Sequence, residues 1–182
     1  MRSIGIDVSK ATFMVAYPSN EKEYKTREFS NNAKGIHQFI HTLKEDDHCV
    51  MEATGCYSYL LLYWLNQANI TTSMENALKV KNFARTMLSV TKTDKADAQL
   101  LSLYGERMRP APFKMPPDSI LLLKQKRAAM RQFQKQLHAT NNLRKSLEVL
   151  PQRDAATFKS IDKIIETLEK QIRKVEEDLI VL

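Results

Sequence analysis

Two aspartates, three residues apart, stand among lysines in the stretch TKTDKADAQLL, residues 91–101. If this stretch is helical, Asp94 and Asp97 lie on one face with their Cβ atoms about 5–6 Å apart. Like charges at that spacing destabilise a helix unless a cation lies between them. Two kinds of cation are available to the pair. One is a divalent metal ion, and the other is the ammonium groups of Lys92 and Lys95 in a surface charge network.

The same stretch also contains a candidate helix start. Thr91 precedes Asp94 by three residues, a spacing typical of a capping box, although Asp replaces the usual Glu or Gln. A helix that begins there directs the positive end of its dipole at Asp94. Capping and metal binding are compatible roles, and the cap alone is a sufficient explanation of this carboxylate.

Two further carboxylates lie in predicted strands. Asp7 occurs in SIGIDV, residues 3–8, and Glu52 ends HCVME, residues 48–52. A charged side chain in an apolar strand is costly unless it is paired or binds a metal. Taken singly, each is equally well explained as a strand-edge residue that reaches solvent. If the helix at residue 94 packs across the sheet, however, all four acids converge at one edge, where α/β sheets form ligand crevices.

Four carboxylates offer only oxygen ligands, which suit Mg²⁺ or Mn²⁺ and not Zn²⁺. Two such ions about 3.5–4 Å apart position a nucleophile and stabilise the leaving oxygen of a phosphodiester. The pattern therefore predicts a site for two Mg²⁺ or Mn²⁺ ions that acts on nucleic acid. The predicted catalytic and metal-binding residues are Asp7, Glu52, Asp94 and Asp97.

The elements that position these acids follow from the hydrophobic pattern. Three strands come first, and helices and strands then alternate, which predicts an α/β domain over residues 1–108 with a mixed sheet and flanking helices. The predicted strands are 3–8, 12–17, 23–29, 48–52 and 70–74, and the predicted helices are 33–44, 57–66, 77–88 and 94–107.

Residues 109–117 (RPAPFKMPP) contain four of the six prolines and cannot continue a helix, so they are predicted to form a linker. Residues 118–182 are predicted to form an all-α coiled-coil hairpin that Pro151 divides. From Phe158 to Leu182, apolar residues follow alternating steps of three and four, the heptad pattern of a coiled coil. The predicted dimerisation residues are Ile161, Ile165, Leu168, Ile172, Val175 and Leu179.

The net charge of +7 comes from one segment of the chain. Residues 1–106 are neutral, residues 107–153 carry 11 basic and 2 acidic side chains, and residues 154–182 carry a net charge of −2. A basic block of this kind suits a polyanion, with nucleic acid the first candidate, while a solvated helix face is the alternative. The predicted nucleic-acid-binding residues are Lys92, Lys95, Arg107, Arg109, Lys124, Arg127, Arg131, Lys135, Arg144 and Lys145.

The remaining composition narrows the class of protein. The two cysteines, Cys49 and Cys56, form no CxxC pair, which argues against a disulfide framework or a zinc ribbon. The most apolar run, YLLLYW at residues 59–64, is too short to span a bilayer. We therefore expect a cytoplasmic protein that does not bind membranes.

Three motifs, GIDVSK at 5–10, MEATG at 51–55 and TKTDKADA at 91–98, resemble in order and spacing the acidic motifs of one transposase family. These are the DEDD-type, RuvC-like transposases of insertion sequences, which include the Piv-type DNA invertases. The resemblance runs from about residue 3 through the proline segment. It implies an RNase H-like domain whose metal-binding acids are the four carboxylates named above. It also implies DNA recombination in a bacterial or archaeal nucleoid, and in characterised relatives a structured guide RNA that bridges target and donor DNA.

One departure from the family qualifies this interpretation. Full-length relatives carry a further carboxy-terminal domain with a serine nucleophile, and nothing in the sequence up to Leu182 resembles it. The resemblance therefore predicts an amino-terminal portion that catalyses or supports metal-dependent DNA cleavage and strand transfer. The alternative hypothesis is a nucleic-acid-binding, dimerising module without chemistry.

Overall fold

The protein divides into two compact units, residues 1–115 and residues 116–182. The structure is a computed structural model that describes residues 2–19, 23–53, 55–87 and 93–180. None of the helices in these ranges combines the length and apolar character needed to cross a membrane.

A five-stranded mixed sheet forms the first unit, in the order β3-β2-β1-β4-β5. The pairs β3-β2 and β2-β1 are antiparallel, and the pairs β1-β4 and β4-β5 are parallel. The elements are β1 (Arg2–Val8), β2 (Thr12–Pro18), β3 (Tyr24–Ser30), α1 (Ala33–Ile40), β4 (Asp47–Glu52), a 3-10 turn (Gly55–Tyr57), α2 (Ser58–Gln67), β5 (Thr71–Glu75), α3 (Ala77–Thr86) and α4 (Asp94–Met108). The predicted mixed sheet with flanking helices is confirmed.

The largest difference from the predicted boundaries is at α1, which ends at Ile40 and not at Lys44. The chain tightens there, because Thr42 N–H donates to the Phe39 carbonyl at 2.8 Å and Leu43 N–H donates to the Ile40 carbonyl at 3.0 Å. Bonds from residue i+3 to residue i mark a 3-10-like turn. The apolar periodicity of residues 36–43 continues through this turn, so it does not reveal where the α-helix stops.

The sheet has helices on both faces. One face packs against α1 and α2 in a large core that contains Ile4, Ile6, Met51, Ile36 and Leu61, all with no exposed surface. The opposite face packs against α3 and α4 through a smaller cluster: Val50, Val80, Leu101 and Tyr104. Because side chains alternate along a strand, odd-numbered residues of β1 face α4 and even-numbered ones face the large core.

The approach of α4 to β1 is unusually close at Gly5. A Cβ atom at Gly5 would overlap the Ala98 carbonyl oxygen and the Ser102 backbone nitrogen. Further along, Ser102 Oγ donates to the Ser3 carbonyl at 2.6 Å. Since Ala98 lies at Gly5 and Ser102 also reaches Ser3, α4 runs antiparallel to β1. Its amino end therefore lies at the carboxyl end of that strand.

The second unit is a hairpin of two long helices, α5 (Asp118–Glu148) and α6 (Ala155–Ile180). The heptad positions of α6 are its less exposed ones: Ile161 is buried, and the other five predicted dimerisation residues are half-buried. The helices are also joined by Lys126 Nζ to Asp178 Oδ2 at 3.3 Å. No residue of α5 is fully buried, so the hairpin leaves much of its apolar surface accessible.

We predict that Gly5→Ala lowers the free energy of unfolding of the first unit by about 3 kcal/mol, the upper end of the usual overpacking cost, because the methyl group has to displace backbone atoms of α4. Thermal or urea unfolding measures the loss. Gly55→Ala is the control: its added Cβ meets nothing within 4 Å, and only its left-handed φ of 77° is strained, which costs about 1 kcal/mol. An equal or larger loss at Gly55 would contradict the close packing.

Candidate metal centre and nucleic-acid surface

The two strand acids lie side by side at one edge of the sheet. The parallel register of β1 and β4 ends with Ile6 opposite Met51, and Asp7 and Glu52 are the next residues on each strand. Residues aligned in a parallel ladder face the same side of the sheet, and Gly5 on this side faces α4. Both acids are half-buried. The two acids therefore lie at the carboxyl ends of neighbouring strands.

The helix acids lie in the first turn of α4. Thr93 is the N-cap, with its Oγ1 accepting from Ala96 N–H at 3.1 Å. Asp94 is exposed and Asp97 is half-buried, and carboxylates in a first turn are stabilised by the helix dipole. Thr91, the residue predicted as the cap, lies outside the described residues.

The antiparallel course of α4 directs this first turn toward the edge that carries Asp7 and Glu52. The structure thus brings the four acid-bearing positions to one end of the unit. Their side chains are not preassembled: within the described part of the chain, no group of three or more His, Cys, Asp or Glu side chains is placed to hold a metal ion. Asp7, Glu52 and Asp97 each interact with other groups. The donor chemistry, carboxylate oxygens alone, fits Mg²⁺ or Mn²⁺.

A fifth acid at this edge was missed in the sequence. The β4-β5 register places Glu75 directly opposite Glu52. Lys79 Nζ lies 3.2 Å from its carboxylate. Burial raises the pKa of Tyr104 above its ordinary value, and the negative charge of Glu75 raises it further. Glu75 was missed because β5 was predicted to end at Met74, one residue too early, and because the register that pairs it with Glu52 is visible only in the folded sheet.

The other end of β1 carries a structural ion pair. Arg2 donates to Asp47 through Nε at 2.8 Å and Nη2 at 2.6 Å. Burial favours a higher pKa for Asp47, but the bonds from Arg2 and the Lys44 N–H outweigh it and hold that pKa below its ordinary value. A cleft of about 610 Å³ opens here, lined by residues that include Arg2, Tyr24 and Arg107. None of the four predicted acids lines it.

The predicted basic residues separate into two groups on α5. Five of them are exposed, and at 3.6 residues per turn their spacing places them within an arc of about 80°. We call this set the basic stripe: Lys124, Arg127, Arg131, Lys135 and Lys145. Among the described residues, none of the five forms an ion pair.

Arg144 belongs to the other group. Its guanidinium donates to Asp162 Oδ1 at 2.6 Å and to Glu148, and it lies 5.8 Å from the centre of the Phe158 ring. These contacts hold its charge beside α6 at the surface of the hairpin and away from the basic stripe. Of the predicted residues outside α5, Lys95, Arg107 and Arg109 are exposed. Lys92 lies outside the described residues.

The first unit is thus an α/β domain with an acidic edge, and the second is a helical hairpin with a basic stripe. A family model for DEDD transposases of the IS110 type, described as "Transposase", matches residues 4–151. The chain belongs to this transposase family, and the resemblance read from the three acidic motifs is confirmed.

Two curated relatives are similar to this chain, the pilin gene-inverting proteins of Moraxella lacunata and Moraxella bovis. Each is 31% identical over 143 residues, which covers 73% of this chain and 44% of the relative. The chain therefore spans less than half the length of these relatives.

Two solved structures are also similar. RuvC from Thermus thermophilus shares 15% identity over 62% of this chain and 100% of its own, with a TM-score of 0.41. The same protein in complex with a Holliday junction substrate shares 13% identity over 61% of this chain and 98% of its own, with a TM-score of 0.42.

Proposed function

We propose that this chain supplies the metal-binding, nuclease-type domain of a DNA recombinase. It catalyses or supports DNA strand cleavage and transfer in transposition or site-specific inversion. One observation carries the proposal: the packing of α4 against Gly5 aims the first turn of that helix at the sheet edge where Asp7 and Glu52 lie side by side. Membership in the transposase family supports the same function.

In this proposal, Asp7 and Glu52 hold divalent ions from the sheet, and Asp94 and Asp97 hold them from the helix. Two Mg²⁺ or Mn²⁺ ions held there would supply activation of the attacking oxygen and charge stabilisation of the leaving oxygen of a phosphodiester. The protein's own contribution is to orient its ligands. The strands are fixed by the ladder that ends at Ile6 and Met51, and the helix start is fixed by the Thr93 cap.

The basic stripe is proposed to bind the nucleic-acid backbone. From Lys124 to Lys145 it spans 21 residues, which is about 31 Å of helix at 1.5 Å per residue. That length is close to one turn of B-form DNA, about 34 Å. Long cationic side chains in such a row contact phosphates without reading bases. The stripe therefore suits either duplex DNA or the helical parts of a structured guide RNA.

We also propose that the protein acts in the bacterial or archaeal cytoplasm, because that is where chromosomal DNA lies.

A homodimer, or a higher homo-oligomer, is proposed to form through the hairpin. Five of the six heptad residues of α6 stay half-buried after packing on α5, and α5 has no fully buried residue. Two helices alone cannot enclose an apolar seam, whereas two hairpins together form a four-helix bundle with a closed core. A second copy of the hairpin completes that core.

The metal site is tested by thermal unfolding of this chain with and without Mn²⁺. An ion present at a hundred times its dissociation constant stabilises the folded state by about 2.7 kcal/mol, so the melting temperature rises by several degrees. Asp7→Asn and Glu52→Gln are expected to abolish most of that rise. The control is Asp46→Asn, which replaces an exposed acid just before β4 and is expected to keep the rise.

A rise of equal size in Asp7→Asn would show that the ions bind elsewhere. No rise in the unchanged protein would favour the alternative, a binding and dimerising module without chemistry.

The basic stripe is tested by the salt dependence of binding to a 30-base-pair duplex, followed by fluorescence anisotropy. Each phosphate contact contributes about 0.9 to the slope of log K against log salt concentration. The double variant Arg127→Ala/Arg131→Ala is expected to lower the slope by about two. Lys170→Ala/Lys174→Ala removes the same charge from exposed positions of α6 and leaves the slope nearly unchanged. Equal reductions in both variants would mean that only net charge matters.

The oligomer is tested by analytical ultracentrifugation. Ile172→Lys places a charge in the half-buried seam and is expected to shift the protein toward monomer, with far-ultraviolet circular dichroism confirming that the helices persist. Ile164→Lys, at a 52% exposed position off the seam, is the matched control and keeps the oligomer. Sedimentation of the unchanged protein as a monomer would reject the proposed interface.

A further inference from the structure

One side chain links the two loops that leave the acidic edge. The Asn31 amide nitrogen Nδ2 donates to the Ser9 carbonyl at 2.9 Å and to the Tyr57 carbonyl at 3.1 Å. The Asn31 backbone N–H also donates to the Ala11 carbonyl at 2.8 Å. Ser9 lies two residues after Asp7, and Tyr57 lies five residues after Glu52. Asn31 itself lies between β3 and α1, on neither acid-bearing strand.

The Asn31 link lies beyond the point where the hydrogen-bonded pairing of β1 and β4 ends. The β1-β4 register ends at Ile6 and Met51. The next residue after Glu52, Ala53, donates its N–H to the Glu75 carbonyl at 2.9 Å, toward β5 and away from β1. The chain after Glu52 is therefore held on the side of β5 by a backbone bond. On the side of β1, it is held by the Asn31 amide.

The chemistry of this link fits a primary amide well. One uncharged NH₂ group donates to two carbonyl oxygens, whereas a hydroxyl has one donor and a carboxylate has none. A lysine or arginine also has several donors, but it would place a cation close to the carboxylates and compete with a metal ion. Asparagine therefore joins the two loops without changing the charge of the edge.

We propose that Asn31 is a positioning residue for the metal centre. Its amide links the chain segments that follow Asp7 and Glu52, and so holds in place the two carboxylates that would bind a divalent ion. This inference rests on the proposed function of the edge acids and adds a residue that touches neither metal nor substrate. Supporting residues around metal ligands commonly change metal affinity 10- to 100-fold when they are removed.

The neighbouring residue offers a matched control. Asn32 Oδ1 accepts from Gly35 N–H at 2.9 Å as the N-cap of α1. Its role is to stabilise a helix start, and it makes no bond to either loop among the described contacts. Replacing Asn32 therefore destabilises the same region without releasing the link between the loops.

The test measures Mn²⁺ affinity of this chain by electron paramagnetic resonance, from the signal of the free ion, together with backbone hydrogen exchange. Asn31→Leu keeps the size of the side chain and removes both donors. We expect it to weaken Mn²⁺ binding about tenfold and to accelerate exchange in residues 9–12 and 55–57 together. Asn32→Ala is expected to lower the melting temperature while it keeps Mn²⁺ affinity within about twofold. Asn31→Ser, whose hydroxyl is one bond too short to reach either carbonyl, is expected to weaken Mn²⁺ binding to a similar extent, and it decides the question if Asn31→Leu does not fold.

Unchanged Mn²⁺ affinity in the Asn31 variants, or equal weakening in Asn32→Ala, would overturn the positioning role and leave the proposed metal centre intact. If the unchanged protein binds no Mn²⁺, the proposed function itself fails, and this inference fails with it.

Discussion

The contact of α4 with β1 at Gly5 determines where the first turn of α4, with its two aspartates, lies relative to the sheet. Because Gly5 has no side chain, the backbone of α4 lies directly on the strand at Ala98 and Ser102. That contact fixes both the position and the direction of the helix. Its first turn consequently lies at the carboxyl end of β1, where the sheet presents Asp7. A larger residue at position 5 would lift the helix and move its aspartates away from the strand acids.

The acidic edge also shows how the protein handles crowded like charges. Glu75 lies opposite Glu52 on the neighbouring strand, and two carboxylates so placed repel each other. Lys79 compensates the charge of Glu75 at 3.2 Å, and Tyr104 lies beside the same carboxylate. Glu75 is therefore a structural acid whose charge is compensated by a cation of the protein itself.

The sequence predicted the fold well because its signals are local. Alternation in the strands, the apolar stripes of the helices and the prolines of residues 109–117 are each visible within a few residues, and the four acids belong to such local motifs. The contributions of Glu75 and Asn31 depend on which residues the fold places side by side. The strand register sets the first, and a side-chain bond across 22 and 26 residues sets the second. No periodicity encodes either one.

Arg144 shows the same limit in the second unit. Its charge is indistinguishable in the sequence from that of Lys145, yet the fold directs it to Asp162 on α6 and to Glu148 on its own helix. The direction of the Arg144 side chain can be predicted only from two facts together. One is the angular position of Arg144 around α5, and the other is which face of α5 packs on α6. The composition of the sequence located the basic block. The geometry of α5 then separates Arg144, which contacts α6, from the basic stripe.

A crystal of this chain soaked in Mn²⁺, with an anomalous difference map that locates the ions, shows directly whether the acidic edge binds metal. We expect a peak at the carboxyl edge of the sheet, at a coordination distance of about 2 Å from oxygens of Asp7 and Glu52, with a carboxylate from the first turn of α4 as a further ligand. Mn²⁺ bound elsewhere, or an edge without a peak in a crystal that binds Mn²⁺ at other places, would contradict it.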